Sequence, residues 1–124
     1  MHPPTSEYFT RFLPGHMHRP LLAGYDGLSA EFAIHFRDLE EHWHLRVEAG
    51  RLVQAERQDA PLGRVCFVVD EAVFREIASA RLSPQRAFFA RRTDIRGDLL
   101  LGLRLAKVLG LFFERYPWEG GAAP

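Results

Sequence analysis

Cysteine is nearly absent: Cys66 stands alone in 124 residues. One cysteine rules out an internal disulfide framework and suits a reducing compartment, so a cytoplasmic location is expected. Long hydrophobic runs are missing too. No apolar stretch approaches the roughly 20 residues of a membrane span, which excludes an integral membrane protein of the helical kind. The opening MHPPTSEYF has neither a basic nor an apolar signal region, so no secretory signal is expected. Lysine is scarce, fifteen of the sixteen bases being arginine, and the net charge is zero, which gives no ground for a nucleic-acid partner.

Catalytic motifs are absent as well. There is no G-x-G-x-x-G, Walker-type loop, G-x-S-x-G or C-x-x-C. No acidic pair stands out for acid–base work. Asp94 and Asp98 flank a strand end, but Asp98 is placed to cap a helix. This silence argues against an enzyme and gives no reason to expect a cofactor. Cys66, between Val65 and Phe67, has no cationic neighbour in sequence and reads as a small buried hydrophobe.

What the chain has is one unusually apolar helix. Eleven of the sixteen residues in DLLLGLRLAKVLGLFF, 98–113, are Leu, Ala, Val or Phe. At 100° per residue Arg104, Lys107, Glu114 and Arg115 share one narrow sector. The apolar positions sweep roughly 220° of the rest, where a core-facing helix needs about 100°. Such a helix covers a cavity, dimerises, touches a membrane, or is simply buried on two sides. Gly102 and Gly110 lie in its apolar sector. They either leave room for a ligand or let the helix pack closely.

Upstream, residues 31–37 and 42–48 alternate strictly, with Phe32, Ile34 and Phe36, then Trp43, Leu45 and Val47, turned inward. Both read as half-buried strands joined by Asp38–Glu41. Pairing Phe36 with Trp43 would set His35 opposite His44 and Arg37 opposite His42. Ala49-Gly50 predicts a tight turn into a third strand, 51–56, and 64–69 (RVCFVV) predicts a fourth, interior strand. Asp70 is placed to cap a helix over 71–79, and Ser83-Pro84 to open a short one through Ala87, Phe88 and Phe89. A short fifth strand over 92–96 then leads through Gly97-Asp98 into the last helix, which Pro117 ends. Residues 1–27 are rich in Pro and Gly and predict an irregular segment, with room for a short helix from Ser6 to Leu13. The expected domain is 28–117, with a flexible tail at 118–124. The order ββββ-α-α-β-α predicts an α+β fold: a mostly antiparallel five-stranded sheet with helices on one face.

His35, His42 and His44 fall together on the outer face. Three imidazoles on one sheet face could bind zinc. Arg37 beside them and the want of an acidic second shell favour a plain polar surface, so no metal is assigned.

Residues 81–109 carry Pro84, Ala87-Phe88-Phe89, Ile95-x-Gly97-Asp98 and the Leu-rich helix up to Lys107. With Trp43-x-Leu45-x-Val47-x-x-Gly50 upstream, the chain resembles the type-two sterol carrier protein family over roughly residues 28–113. Phe88-Phe89-x-Arg91-Arg92 and Leu101-Gly102-Leu103 resemble a bacterial branch of it, accessory factors of ubiquinone biosynthesis that bind prenylated quinone precursors. The resemblance implies an apolar tunnel between sheet and helices, with the last helix as wall or lid. It implies non-enzymatic binding of a fatty acyl, sterol-like or prenyl-quinone ligand. The expected lining is Phe36, Trp43, Phe67, Phe74, Ile77, Phe88, Phe89, Leu103, Val108, Leu109 and Phe112. A docked biosynthetic enzyme or a homodimer through the last helix is the alternative use of the same apolar surface. The charges are split, eight acids and four bases over 26–59 against two acids and seven bases over 81–107. The basic stretch therefore predicts transient contact with an anionic membrane surface, peripheral to the inner membrane.

Overall fold

Alternating side chains along two neighbouring runs set the sheet, and its apolar face sets everything packed upon it. The computed structural model describes residues 4–17, 27–60 and 63–118. Its strands are β1 (Ala30–Phe36), β2 (Glu41–Glu48), β3 (Arg51–Gln58), β4 (Val65–Val69) and β5 (Asp94–Gly97). Its helices are α1 (Glu71–Ala78), α2 (Pro84–Phe89) and α3 (Leu99–Arg115). The sheet order is β3-β2-β1-β4-β5. Only the β1–β4 pair is parallel; the other neighbours are antiparallel. The α+β sheet expected from the sequence is present.

The first hairpin departs from the expected pairing. Ile34, not Phe36, faces Trp43, and His35 faces His42 rather than His44. The turn is 37–40, with Glu40 at φ 51° closing it. Moving the partner by two residues leaves every side chain on its own face, so hydrophobic alternation cannot distinguish the two registers. The second hairpin turns as expected: Ala49 and Gly50 both have positive φ, 51° and 74°, the geometry of a tight two-residue turn. The β2–β3 register shifts between Arg46 and Val47, just before this turn.

The cap of α1 also differs. Asp70 stands at the N-cap position but makes no side-chain cap bond. Asp38, in the β1–β2 turn, accepts from the Glu71 backbone N–H at 3.1 Å, while Asp70 takes Arg37 at 3.2 Å on both oxygens. A carboxylate from across the fold has taken the local residue's place. At α2 the expectation holds, with Ser83 Oγ accepting from the Arg86 N–H at 3.1 Å.

The β5–α3 junction depends on one glycine. Gly97 has φ 95°, and a Cβ there would overlap the Arg64 carbonyl oxygen. That approach lets the Asp98 N–H donate to Arg64 O at 2.9 Å. The Asp98 carboxylate then caps the Leu101 N–H at 3.0 Å and receives Arg64 Nη2 at 2.7 Å. The last helix is thereby fixed to the start of β4. Its apolar surplus is spent on two sides. Leu105, Val108, Leu109, Phe112 and Phe113 are buried, while Arg104, Lys107, Glu114 and Arg115 face solvent. Gly102 packs against Ile95 and Val65, and Gly110 against Pro84, so both serve close packing. Among the described residues no helix is long and apolar enough to cross a membrane.

Residues before the sheet join the same core. A π-helical turn, Tyr8–Phe12, runs into a 3-10 turn, Leu13–His16, where a short helix was expected. Tyr8, Phe9 and Leu13 are fully buried against the sheet's inner face. Trp118 is buried too, and its backbone N–H donates to Ala78 O at 2.8 Å. The flexible tail was expected to begin at 118, but Trp118 is tied to α1; the other tail residues, 119–124, and the histidine at 18 lie outside the described residues.

Candidate lipid site between sheet and helices

Inward-facing residues of β1, β4 and β5 meet α1 and α3 around an apolar cavity of about 50 Å³. Ile34, Phe67, Val69 and Ile95 come from the strands, and Phe74, Ile77, Leu109 and Phe113 from the helices. Pro84 and Thr93 complete it. A second void of about 10 Å³ shares Ile34, Phe74, Leu109 and Phe113, and adds Phe112, Leu45 and Leu52 together with Tyr8, Phe9 and Leu13. The lining is almost wholly hydrocarbon, with Thr93 and Tyr8 its hydroxyl-bearing residues, so it can take up an apolar group.

Thr93 also belongs to an open cleft of about 400 Å³ whose other walls are Arg37, Phe88, Phe89, Arg91 and Asp94. The apolar cavity and the polar cleft therefore meet at one residue. Phe89 is 71% exposed in the cleft wall. Arg91 sits at φ 61°, a left-handed helix end usually occupied by glycine, where its N–H donates to Phe88 O at 3.0 Å. The cleft thus brings cationic and anionic groups together with two aromatic rings, chemistry that suits an amphiphile.

Of the residues expected to line a tunnel, Phe67, Phe74, Ile77 and Leu109 surround the larger cavity. Phe74, Leu109 and Phe112 surround the smaller. Phe88 and Phe89 line the cleft. Phe36 and Trp43 are buried in the core against Phe9, at ring distances of 6.0 and 4.5 Å. Val108 is buried in the core, and Leu103 packs against it half-buried. Sequence reasoning passed over Ile34, Val69, Ile95 and Phe113, although the first three continue the inward alternation of their strands and the last continues the buried face of α3. It also passed over Thr93 and Arg37, for which no pattern in the sequence speaks, and took Arg91 only as part of the Phe88-Phe89-x-Arg91-Arg92 resemblance and the basic stretch.

On the opposite sheet face His35 and His42 stack at 4.2 Å, and His44 Nε2 lies 3.7 Å from Glu31. Burial, then His42, Arg96 and Arg37, lower the His35 pKa, with Glu40 opposing. Burial raises the pKa of the half-buried Cys66 thiol, with Arg96 opposing. Among the described residues no group of three His, Cys, Asp or Glu side chains converges as a metal site.

Residues 18–110 match the model of the SCP-2 sterol transfer family. The chain belongs to that family. It is also 34% identical over 77 residues to the ubiquinone biosynthesis accessory factor UbiT of Escherichia coli K12, an alignment covering 62% of this chain and 42% of that protein. The chain thus spans less than half the length of the curated relatives it matches. Among solved structures, a UbiJ-SCP2 ubiquinone synthesis protein superposes with a TM-score of 0.61 at 10% identity, covering 87% of this chain and 89% of that one. A conserved hypothetical protein of Thermus thermophilus gives 0.54 at 15% identity, over 72% and 69%. These two likenesses establish the shared fold. The family places this chain among lipid-binding domains; Tyr8, Phe9, Leu13 and Trp118 stand outside the matched span.

Proposed function

We propose that this chain binds an apolar lipid without catalysing a reaction on it, with the lipid's chain between sheet and helices and its polar end in the Thr93 cleft. The observation that carries the reading is the junction at Thr93 of a hydrocarbon-lined cavity with an open cleft bearing Arg37, Arg91 and Asp94. The driving force is apolar surface leaving water, at roughly 25 cal/mol per Å². The few rim groups orient the ligand. Phe67, Phe74, Ile77, Leu109 and Phe112 act as lining, Phe88 and Phe89 as the mouth, Trp43 as the wall stacked on Phe9, and Phe36, Leu103 and Val108 as the packing behind it. The UbiT relationship supports a prenyl-quinone precursor over a sterol or a fatty acyl chain as cargo, and supports service to a biosynthetic enzyme complex.

Native mass spectrometry of the bacterially expressed chain tests this. A co-purifying lipid is expected in the native chain and is lost in Ile77→Trp, which fills the cavity. A chain that carries no lipid and ignores added acyl, sterol and prenyl-quinone ligands overturns it.

The exposed apolar residues Phe89, Leu99 and Leu100, the last 82% exposed, favour a second reading as a surface for an enzyme partner, a second copy or a membrane. Arg92 is paired with Glu76, and Arg96 lies near Asp94. Arg81, Arg86, Arg91, Arg104 and Lys107 make no ion pair with the described residues and remain to meet an anionic surface. Light scattering decides the homodimer. Co-sedimentation with anionic and neutral vesicles at two salt concentrations decides the membrane contact, because only charge-driven binding is screened.

A further inference from the structure

The interior as it stands is too full for a lipid. Among the described residues, the voids under the sheet measure about 50 and 10 Å³ and a third beside Pro84 and Gly110 about 30 Å³, whereas ligand pockets run roughly 300–1,000 Å³. Some side chains must leave when a ligand enters, and the N-terminal segment is held in a way that permits it. The described hydrogen bonds and ion pairs of residues 4–13 are internal: Glu7 N–H to Pro4 O, Tyr8 N–H to Thr5 O, Leu13 N–H to Tyr8 O, Thr10 Oγ1 to Ser6 O, and Arg11 to Glu7. Among the described residues, the contacts of 4–13 with the body are made by apolar surface.

That surface is specific. The Phe9 ring lies between Trp43, at 4.5 Å and 13°, and Phe74, at 5.5 Å and 27°. Tyr8 meets Phe74 and Trp118 beside it, each at 5.3 Å. The seat also carries a cost. Tyr8 Oη and Thr5 Oγ1 are buried with no hydrogen-bond partner among the described residues, and an unmatched buried polar group is costly. The segment folds as a π-helical turn, a rare form concentrated at functional sites.

We infer that Tyr8, Phe9 and Leu13 stand in for a ligand, and that the slot between Trp43 and Phe74 is a subsite for a planar apolar group, aromatic or conjugated. The inference rests on the lipid-binding reading and names the chemistry of part of its ligand. Binding is then an exchange. A flat ring replaces the stacking that Phe9 gives up, and the departing Tyr8 and Thr5 hydroxyls recover water. Net affinity is the difference between occupants, so a saturated chain, which stacks poorly, displaces the segment less well.

The test titrates the native chain, Phe9→Ala and Phe9→Leu with 2-methylnaphthalene and with decanoate. It follows Trp fluorescence and amide hydrogen exchange at residues 5–13. The Leu variant keeps most of the volume and guards against a fold lost in the Ala variant. In the native chain, 2-methylnaphthalene is expected to speed exchange at 5–13 and to bind more tightly than decanoate. Either variant is expected to bind it about tenfold more tightly, since the competing occupant is weakened. Ligand bound while residues 5–13 stay protected overturns the exchange and leaves lipid binding standing. Binding by the variants but not by the native chain supports the occupant and counts against carriage by the native chain. Variants that bind no more tightly than the native chain overturn the inference, and no binding by any of the three overturns both readings.

Discussion

At the β5–α3 junction, three polar contacts and one left-handed glycine fix a helix to a strand: Asp98 N–H on Arg64 O, Asp98 on the Leu101 N–H, and Arg64 on Asp98. At residues 4–13, aromatic rings press on the same interior with no polar tie to the body among the described residues. Directional bonds and a disallowed backbone alternative hold the junction in one place. Apolar burial is non-directional, so a seat made of it alone is filled equally well by another molecule of the same chemistry. Wall and occupant are told apart by polar anchoring, since both are buried.

The largest expected effect breaks the anchored side. Gly97→Ala forces a Cβ onto the Arg64 carbonyl oxygen at a φ that L-residues rarely adopt. A loss of about 3 kcal/mol in a urea titration is expected from strain and overlap together. A loss below about 1 kcal/mol would mean that the junction shifts freely and is no anchor. Next comes Asp98→Ala, which removes a helix cap and the Arg64 pair. It should cost about 1–2 kcal/mol. Asp70→Ala is the control: it holds the N-cap position of α1 but only pairs with the half-exposed Arg37, so less than about 1 kcal/mol is expected. Equal costs for the two would erase the distinction between a capping carboxylate and a surface pair.

A third measurement isolates both regions from pH. The lowered His35 pKa belongs to the outer face, beside His42, Arg96 and Arg37. The unfolded chain therefore takes up this proton first as pH falls below the ordinary histidine value near 6.5. Stability is complete above that value and declines as pH falls towards the lower folded pKa. His35→Asn should flatten this part of the stability profile. An unchanged slope would place the pH dependence elsewhere.

The same contrast explains what could be read from the sequence. Gly97-Asp98, Ser83-Pro84 and Ala49-Gly50 are local devices whose chemistry and geometry reside in adjacent residues, so their positions were legible. The alternation of Phe32, Ile34 and Phe36 fixed which face is inside, but not the partner across the hairpin, because a two-residue slip preserves every face. The cap of α1 was misassigned because Asp38, 33 residues earlier in the chain, arrives by tertiary folding. The short helix expected from Ser6 to Leu13 rests on the spacing of Tyr8, Phe9, Phe12 and Leu13, which marks burial without naming what they are buried against. Thr93 joins cavity to cleft only through the approach of α2, β5 and the sheet.

The smallest expected effect is the most pointed. Tyr8→Phe deletes one hydroxyl and keeps the ring against Phe74, Phe9 and Trp118. In a fully satisfied core, losing a hydroxyl costs its hydrogen bond. Here the hydroxyl is buried without a partner, and burial holds its pKa far above the ordinary phenol value, so it stays neutral and undonated. Removing it should stabilise the closed form by about 1 kcal/mol. The same change should weaken binding of a planar ligand by about fivefold, because the segment that must leave now sits better and recovers no water on leaving. Stability and affinity moving in opposite directions is the signature of an occupant. For a residue that merely lines the ligand site, a better-packed Phe would leave affinity unchanged or raise it. Parallel denaturation and 2-methylnaphthalene titrations of Tyr8→Phe therefore separate occupant from wall, and a stabilised variant with undiminished affinity would assign Tyr8 to the wall.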